Sequence, residues 1–115
     1  MNTITVMTAG QGETLWDQFV TVMLAAGPVH EHGSRYANKP ALFAGRREIA
    51  HLEAPGVIDL RITRYGWAKV SADFAVDPAV RRERSRRDWV ELHLRSTADL
   101  ERLRLLLITA LAANT

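Results

Sequence analysis

The stretch GRREIAHLEAPGVIDLRIT, residues 45–63, decides the fold. It reads as two strands and the turn between them. In VIDLRI, Ile58, Leu60 and Ile62 alternate with Val57, Asp59 and Arg61, the two-residue period of a strand with one buried face. Ala54-Pro55-Gly56 supplies the turn before it, and REIAHLE (47–53) is the strand that runs into that turn. Ala44-Gly45-Arg46 is a second tight turn. The short apolar strand KPALFA (39–44) leads into it, with Pro40 suited to a strand start or an edge. Such short connections imply an antiparallel meander.

Further elements flank this meander. Upstream, ETLWDQFVTVMLAAGP (13–28) predicts a helix, because Leu15, Phe19, Val22 and Met23 recur at helical spacing and Trp16 and Val20 widen the stripe. Gly27-Pro28 ends it. Downstream, RYGWAKVSADF (64–74) reads as a helix, although Gly66 costs about 1 kcal/mol relative to alanine. AVDPAVRRERSRR (75–87) reads as a loop or short helix, with Asp77-Pro78 as a cap and first turn. In DWVELHLR (88–95), Val90, Leu92 and Leu94 point one way and Trp89, Glu91, His93 and Arg95 the other. STADLERLRLLLITALA (96–112) is a strong helix with Ser96 as its cap and Asp99 in the first turn. The expected order is α-β-β-β-α-β-α. This is a two-layer α+β fold, with an antiparallel sheet of about four strands and helices on one face.

Bulk properties narrow the function classes. The chain of 115 residues is 47% hydrophobic and 24% charged, the size and composition of one domain spanning 1–115, with 1–11 expected as a flexible N-terminal segment. There is no cysteine, so disulfides, thiolate metal sites and cysteine nucleophiles are excluded. That composition suits a reducing, cytoplasmic setting. No signal peptide is expected, and no apolar run approaches the ~20 residues of a membrane helix. The formal charge is +2, yet RRERSRR (81–87) alone holds five Arg and one Glu, leaving the rest of the chain at −2. Nucleic-acid modules usually spread basic charge over a face, and no aromatic residues interleave with this run. Nucleic acid is therefore the weaker partner expectation.

The alternation also sorts the ionisable groups. If Ile58, Leu60, Ile62, Val90, Leu92 and Leu94 face the helices, then Asp59, Arg61, Trp89, Glu91 and His93 face away. The matching choice in REIAHLE buries Ala50 and Leu52. It sends Arg47, Ile49, His51 and Glu53 outward and leaves Glu48 on the helix side or at the strand edge. Three readings of that outer face stand: a solvated surface with cross-strand ion pairs, a ligand or catalytic site, and a homodimer interface. His51, Glu48 and Asp59 form the expected polar centre, with His30, His93, Trp89, Arg61 and Arg47 as the ligand-binding surround.

Histidine beside a carboxylate suits acid–base work near neutral pH, so any enzyme here is expected to be a proton-transfer catalyst for isomerisation, cyclisation or dehydration, without a cofactor. VHEHG (29–33) places His30 and His32 two apart, and His51, Glu53 or His93 would have to complete a metal site. No recognised spacing says so, and no metal is assigned. Glu48 and His51 lack the helical setting of the HExxH signature. Ser34, Ser71, Ser85 and Ser96 sit in no activating context, and no phosphate-binding glycine loop is present.

PALFAGRREIAHLEAPGVIDLRI (40–62) and DWVELHLRSTADLERLRLLL (88–107) carry a resemblance to the small luciferase-like domain proteins, a family of unknown function. The likeness covers residues 29–111. The family pattern of a histidine-bearing opening segment, a GRREIAHLH-like strand, a VDL strand and a tryptophan-led strand falls on His30, Glu48, His51, Asp59 and Trp89. Glu53 stands where the pattern often has a second histidine, and AVRRERSRRD (79–88) replaces a segment that usually carries one. The resemblance implies no light emission. The element order is also similar to the MmcQ/YjbR fold, whose shape has suggested DNA binding. That is analogy of fold, and fold does not fix function.

Overall fold

A computed structural model describes residues 14–34, 38–82 and 85–115; the segment 1–11 expected to be flexible lies outside them. Helix α1 spans Leu15–Ala26, followed by β1 (His30–Gly33), β2 (Pro40–Ala44), β3 (Arg47–Ala54) and β4 (Val57–Arg61). Helix α2 (Thr63–Phe74), β5 (Val80–Arg82), β6 (Trp89–His93), α3 (Thr97–Arg102) and α4 (Arg104–Ala113) complete the order. The fold is α+β. Its antiparallel sheet has six strands in the order β1-β2-β3-β4-β6-β5, not about four. The two strands beyond the sequence reading are the outermost. HEHG is exposed throughout, and VRR follows Asp77-Pro78, where a loop or short helix was expected.

Helix α1 starts where its sequence dictates. Thr14 and Asp17 form a reciprocal capping box, and Trp16, Phe19, Val20 and Met23 turn inward. They join Leu42, Ala50, Ile58, Leu60, Val90 and Leu92 from the sheet, and Leu103, Leu106, Leu107 and Ala110 from the C-terminal part, in one apolar cluster. Burying each of the larger side chains contributes about 1.5–3 kcal/mol. The C-terminal helix is not continuous, since Leu103 leaves helical geometry between α3 and α4. Ser96 occupies its N-cap position without a side-chain cap bond; instead Asp99 accepts the Arg95 backbone N–H at 2.7 Å. No helix among the described residues is long and apolar enough to cross a membrane.

Strand β3 departs from simple alternation twice. Leu42 faces Ala50 but the next residue, Phe43, faces Glu48, so Ile49 is an extra residue in the ladder. A second irregularity falls at Glu53, between Leu52 opposite Ile58 and Ala54 opposite Val57. The first bulge reverses two expectations at once. Ile49 enters the apolar cluster with no exposure, and Glu48 moves to the outer side beside His51.

The two hairpin glycines differ in what surrounds them. Gly45 (φ 59°) and Gly56 (φ 76°) both adopt the left-handed conformation. A Cβ on Gly45 would meet nothing within 4 Å, whereas one on Gly56 would stand 2.6 Å from the Leu94 carbonyl oxygen. Gly45→Ala is therefore expected to cost about 1–2 kcal/mol, the conformational penalty alone. Gly56→Ala should cost distinctly more in urea denaturation, and equal costs would show that the approach of Leu94 does not constrain the turn.

Beyond the sheet, Arg102 binds both Asp77 oxygens, at 2.9 and 3.0 Å, and Asp99 at 2.7 Å. Asp77 is held below its ordinary pKa of 3.8 chiefly by Arg102, and Asp99 by the Arg95 amide and then Arg102. Depressed carboxyl pKa values contribute stability that is complete above the ordinary value and lost as pH falls through the lowered ones. Acid unfolding of an Asp77→Asn variant should accordingly lose part of its pH dependence below pH 4; an unchanged acid profile would refute that contribution.

Candidate functional site

Across the sheet, paired positions place Ala41, His51, Asp59 and Glu91 in one row, with Arg81 following on the edge strand. Paired residues project from the same face. The result is a cluster centred on the His51 ring. Its Nε2 lies 2.6 Å from Glu53 Oε1 and 3.0 Å from Asp59 Oδ2. Its Nδ1 lies 3.0 Å from Glu48 Oε2, but the angle is poor, and among the described residues Nδ1 has no hydrogen-bond partner. Ser34 Oγ donates to that same Glu48 oxygen at 3.1 Å. Arg86 Nη1 donates to Asp59 Oδ2 at 3.0 Å while its guanidinium lies over the Trp89 ring, 4.9 Å from the centroid. Trp89 is also tilted against His51, with ring centroids 5.6 Å apart.

This cluster is not a wet surface. The side chains of His51 and Asp59 are only 9% and 3% exposed, whereas Glu53 is 40% exposed. The hydrogen bond to Asp59 raises the His51 pKa above 6.5; burial works against it, and Glu53 reinforces it. Burial alone would push Asp59 up, but His51 and Arg86 together hold it below 3.8. His51 is thereby favoured in its charged form between two acceptors, able to give a proton to a group arriving at Glu53.

Of the expected residues, His51, Glu48, Asp59 and Trp89 meet. The others lie elsewhere. His93 pairs with Glu91 at 2.5 Å, and His30 stacks on Phe43. Arg61 is tied to Asn114 at 2.6 Å and to Asp88 at 3.5 Å. Arg47 is exposed and lines a separate hollow of about 450 Å³ with Arg61 and Asp88. Ser34 and Arg86 belong to the cluster although no spacing marks them, because each reaches it from a connection rather than along a strand.

Glu53 also borders a cleft of about 940 Å³, walled by Leu15, Trp16, Pro40, Leu52, Pro55 and Leu94. At this cleft, Trp16 Nε1 donates to Glu31 at 2.7 Å and Lys39 donates to the Glu53 carbonyl at 2.5 Å. One residue therefore borders both the ionisable cluster and the apolar cleft.

Comparison of the chain with family models, curated proteins and solved structures returned no match.

The raised His51 pKa has a measurable consequence. Its stabilising contribution is complete below pH 6.5 and lost as pH rises through the folded-state value. NMR titration of the ring should show a midpoint above 6.5, falling in Asp59→Asn. A midpoint unaffected by that substitution would remove Asp59 as the principal cause.

Proposed function

We propose that this protein binds a small organic molecule in the cleft between Trp16 and Leu94 and moves a proton on it. His51 is the proton carrier, Asp59 fixes its ring and stabilises its charged form, and Glu53 meets the ligand. Glu48 sits behind the ring at Nδ1. The observation that carries this reading is the double contact of Glu53, which lines the cleft and stands 2.6 Å from His51 Nε2. Small-molecule sites are concave and mainly apolar with a few convergent polar groups, and this cleft with its one edge of ionisable residues fits that pattern.

The chemistry that suits it is isomerisation, cyclisation or dehydration beside a carbonyl, where a single group gives a proton to one atom and takes one back from another. The apolar walls favour a ligand with a hydrocarbon or ring body, and the charged edge orients its polar end.

A library of small ring compounds carrying one carbonyl, screened by NMR, tests the reading. Binders are expected to shift the amides of Leu15, Leu52 and Gly56 together with the His51 ring. For a binder that is turned over, Glu53→Gln and His51→Ala should slow the reaction by on the order of 10²–10⁴ while the fold is retained. Turnover at the wild-type rate in both variants would dismiss the proposed centre.

A further inference from the structure

We propose that His51 Nε2, Glu53 and Asp59 form a site for a divalent first-row transition-metal ion, with Glu48 supporting His51 from behind. The inference does not depend on the small-molecule reading, because it concerns only what these donors can hold. The three donor atoms lie within 4.8 Å of one another. They come from one strand and its immediate neighbour, with His51 facing Asp59 directly in the register. Two of the three side chains are more than nine-tenths buried, so their positions are set by packing.

The second observation is on the opposite side of the ring. A histidine that ligates through one nitrogen usually donates its other N–H to a carboxylate, which fixes the tautomer and raises ligand basicity. Here Nδ1 is buried without a hydrogen-bond partner among the described residues, and Glu48 Oε2 waits 3.0 Å away. With the metal on Nε2, the ring proton resides on Nδ1, and a small rotation of the ring aligns it with Glu48. Ser34 in turn steadies Glu48 at 3.1 Å.

Donor chemistry selects the ion. One imidazole with two carboxylates is a mixed borderline-and-hard set, suited to Zn²⁺ or Mn²⁺ more than to Ca²⁺ or Mg²⁺, which prefer all-oxygen shells. Three protein ligands leave a fourth position open. Tetrahedral ligands about 2.0–2.1 Å from zinc stand roughly 3.4 Å apart. The present separations of 2.6 and 3.0 Å must therefore widen by about 0.8 and 0.4 Å; Glu53, whose side chain is 40% exposed, allows the first, and the second requires a small shift of the Asp59 carboxylate or the His51 ring. Arg86 opposes the ion, since its guanidinium occupies the same Asp59 oxygen that faces His51.

The test is a titration of the metal-stripped chain with zinc chloride by calorimetry, and with manganese chloride by electron paramagnetic resonance. One ion per chain is expected. Glu53→Gln, whose side chain is exposed enough to leave the fold intact, should weaken binding at least tenfold. Glu48→Gln should weaken it on the order of 10–100-fold. Arg86→Gln should tighten it, a sign that a merely structural role for Arg86 would not produce. A double His30→Gln, His32→Gln variant should bind as the parent does. Absence of stoichiometric binding up to millimolar metal overturns the proposal. So does binding that survives Glu53→Gln and disappears with His30 and His32. Neither failure touches the small-molecule reading, whose screen is run without metal.

Discussion

Between its two bulges, β3 holds His51 opposite Ala41 on one side and Asp59 on the other. Everything on the outer side of the sheet depends on that register. A slip of one residue would exchange His51 with Leu52 or Ala50, bringing an imidazole into the apolar layer and an aliphatic chain among carboxylates. The bulge at Ile49 adds what a regular strand could not. By inserting one residue it satisfies the core with Ile49 and still delivers Glu48 to the His51 ring. The irregularity at Glu53 lies at the other end of the same short segment, where that carboxylate turns toward Nε2. Bulges that re-aim a side chain are typical beside working sites.

The cluster so assembled is a poor investment in stability. Removing charged groups from water costs several kcal/mol per ion, and replacing a buried ion pair by apolar groups of similar volume is often neutral or stabilising by about 1–4 kcal/mol. Asp59 makes the conflict plain: its burial opposes ionisation, and both His51 and Arg86 are needed to offset that. A core without these groups would be simpler to build from the aliphatic residues the chain has in abundance. Perturbed ionisable groups beside a cleft support the proposed site. By contrast the Asp77–Arg102–Asp99 network has a structural occupation in full view, because it ties the segment before β5 to α3 and accepts the Ala79 and Arg95 amides.

The legible part of this architecture was the part with a regular period. Ile58, Leu60, Val90 and Leu92 alternate, so the inner and outer sides of β4 and β6 follow from the sequence, as do the meeting of His51 with Asp59 and the α1 stripe. What escaped has specific reasons. The β1 strand has no buried residue, and β5 has one apolar residue followed by two arginines, so neither shows a hydrophobic period. Their pairing is supplied by the neighbouring strand edge. Ile49 and Glu48 were placed on the wrong sides because a bulge changes phase without altering composition. Arg86 was hidden in a charge run that shows only its net charge; in the structure it lies over Trp89 while Arg82 lies over Trp67, each cation using an aromatic face. His93 followed the alternation correctly yet stays with Glu91, since sharing a face says nothing about distance along the strand.

The proton and metal readings turn on less than about 1 Å of movement among the same atoms. At 2.6 and 3.0 Å, Nε2 and the two carboxylates are spaced for a shared hydrogen. A metal ion requires a wider triangle with the nitrogen lone pair free. His51 and Asp59 have little room to yield, enclosed by Trp89, Arg86 and the paired strands. Glu53 has room, because it leaves an irregular backbone position and its side chain is 40% exposed. It is therefore the most adjustable member of the set, and a cation at His51 Nε2 must first move this one carboxylate.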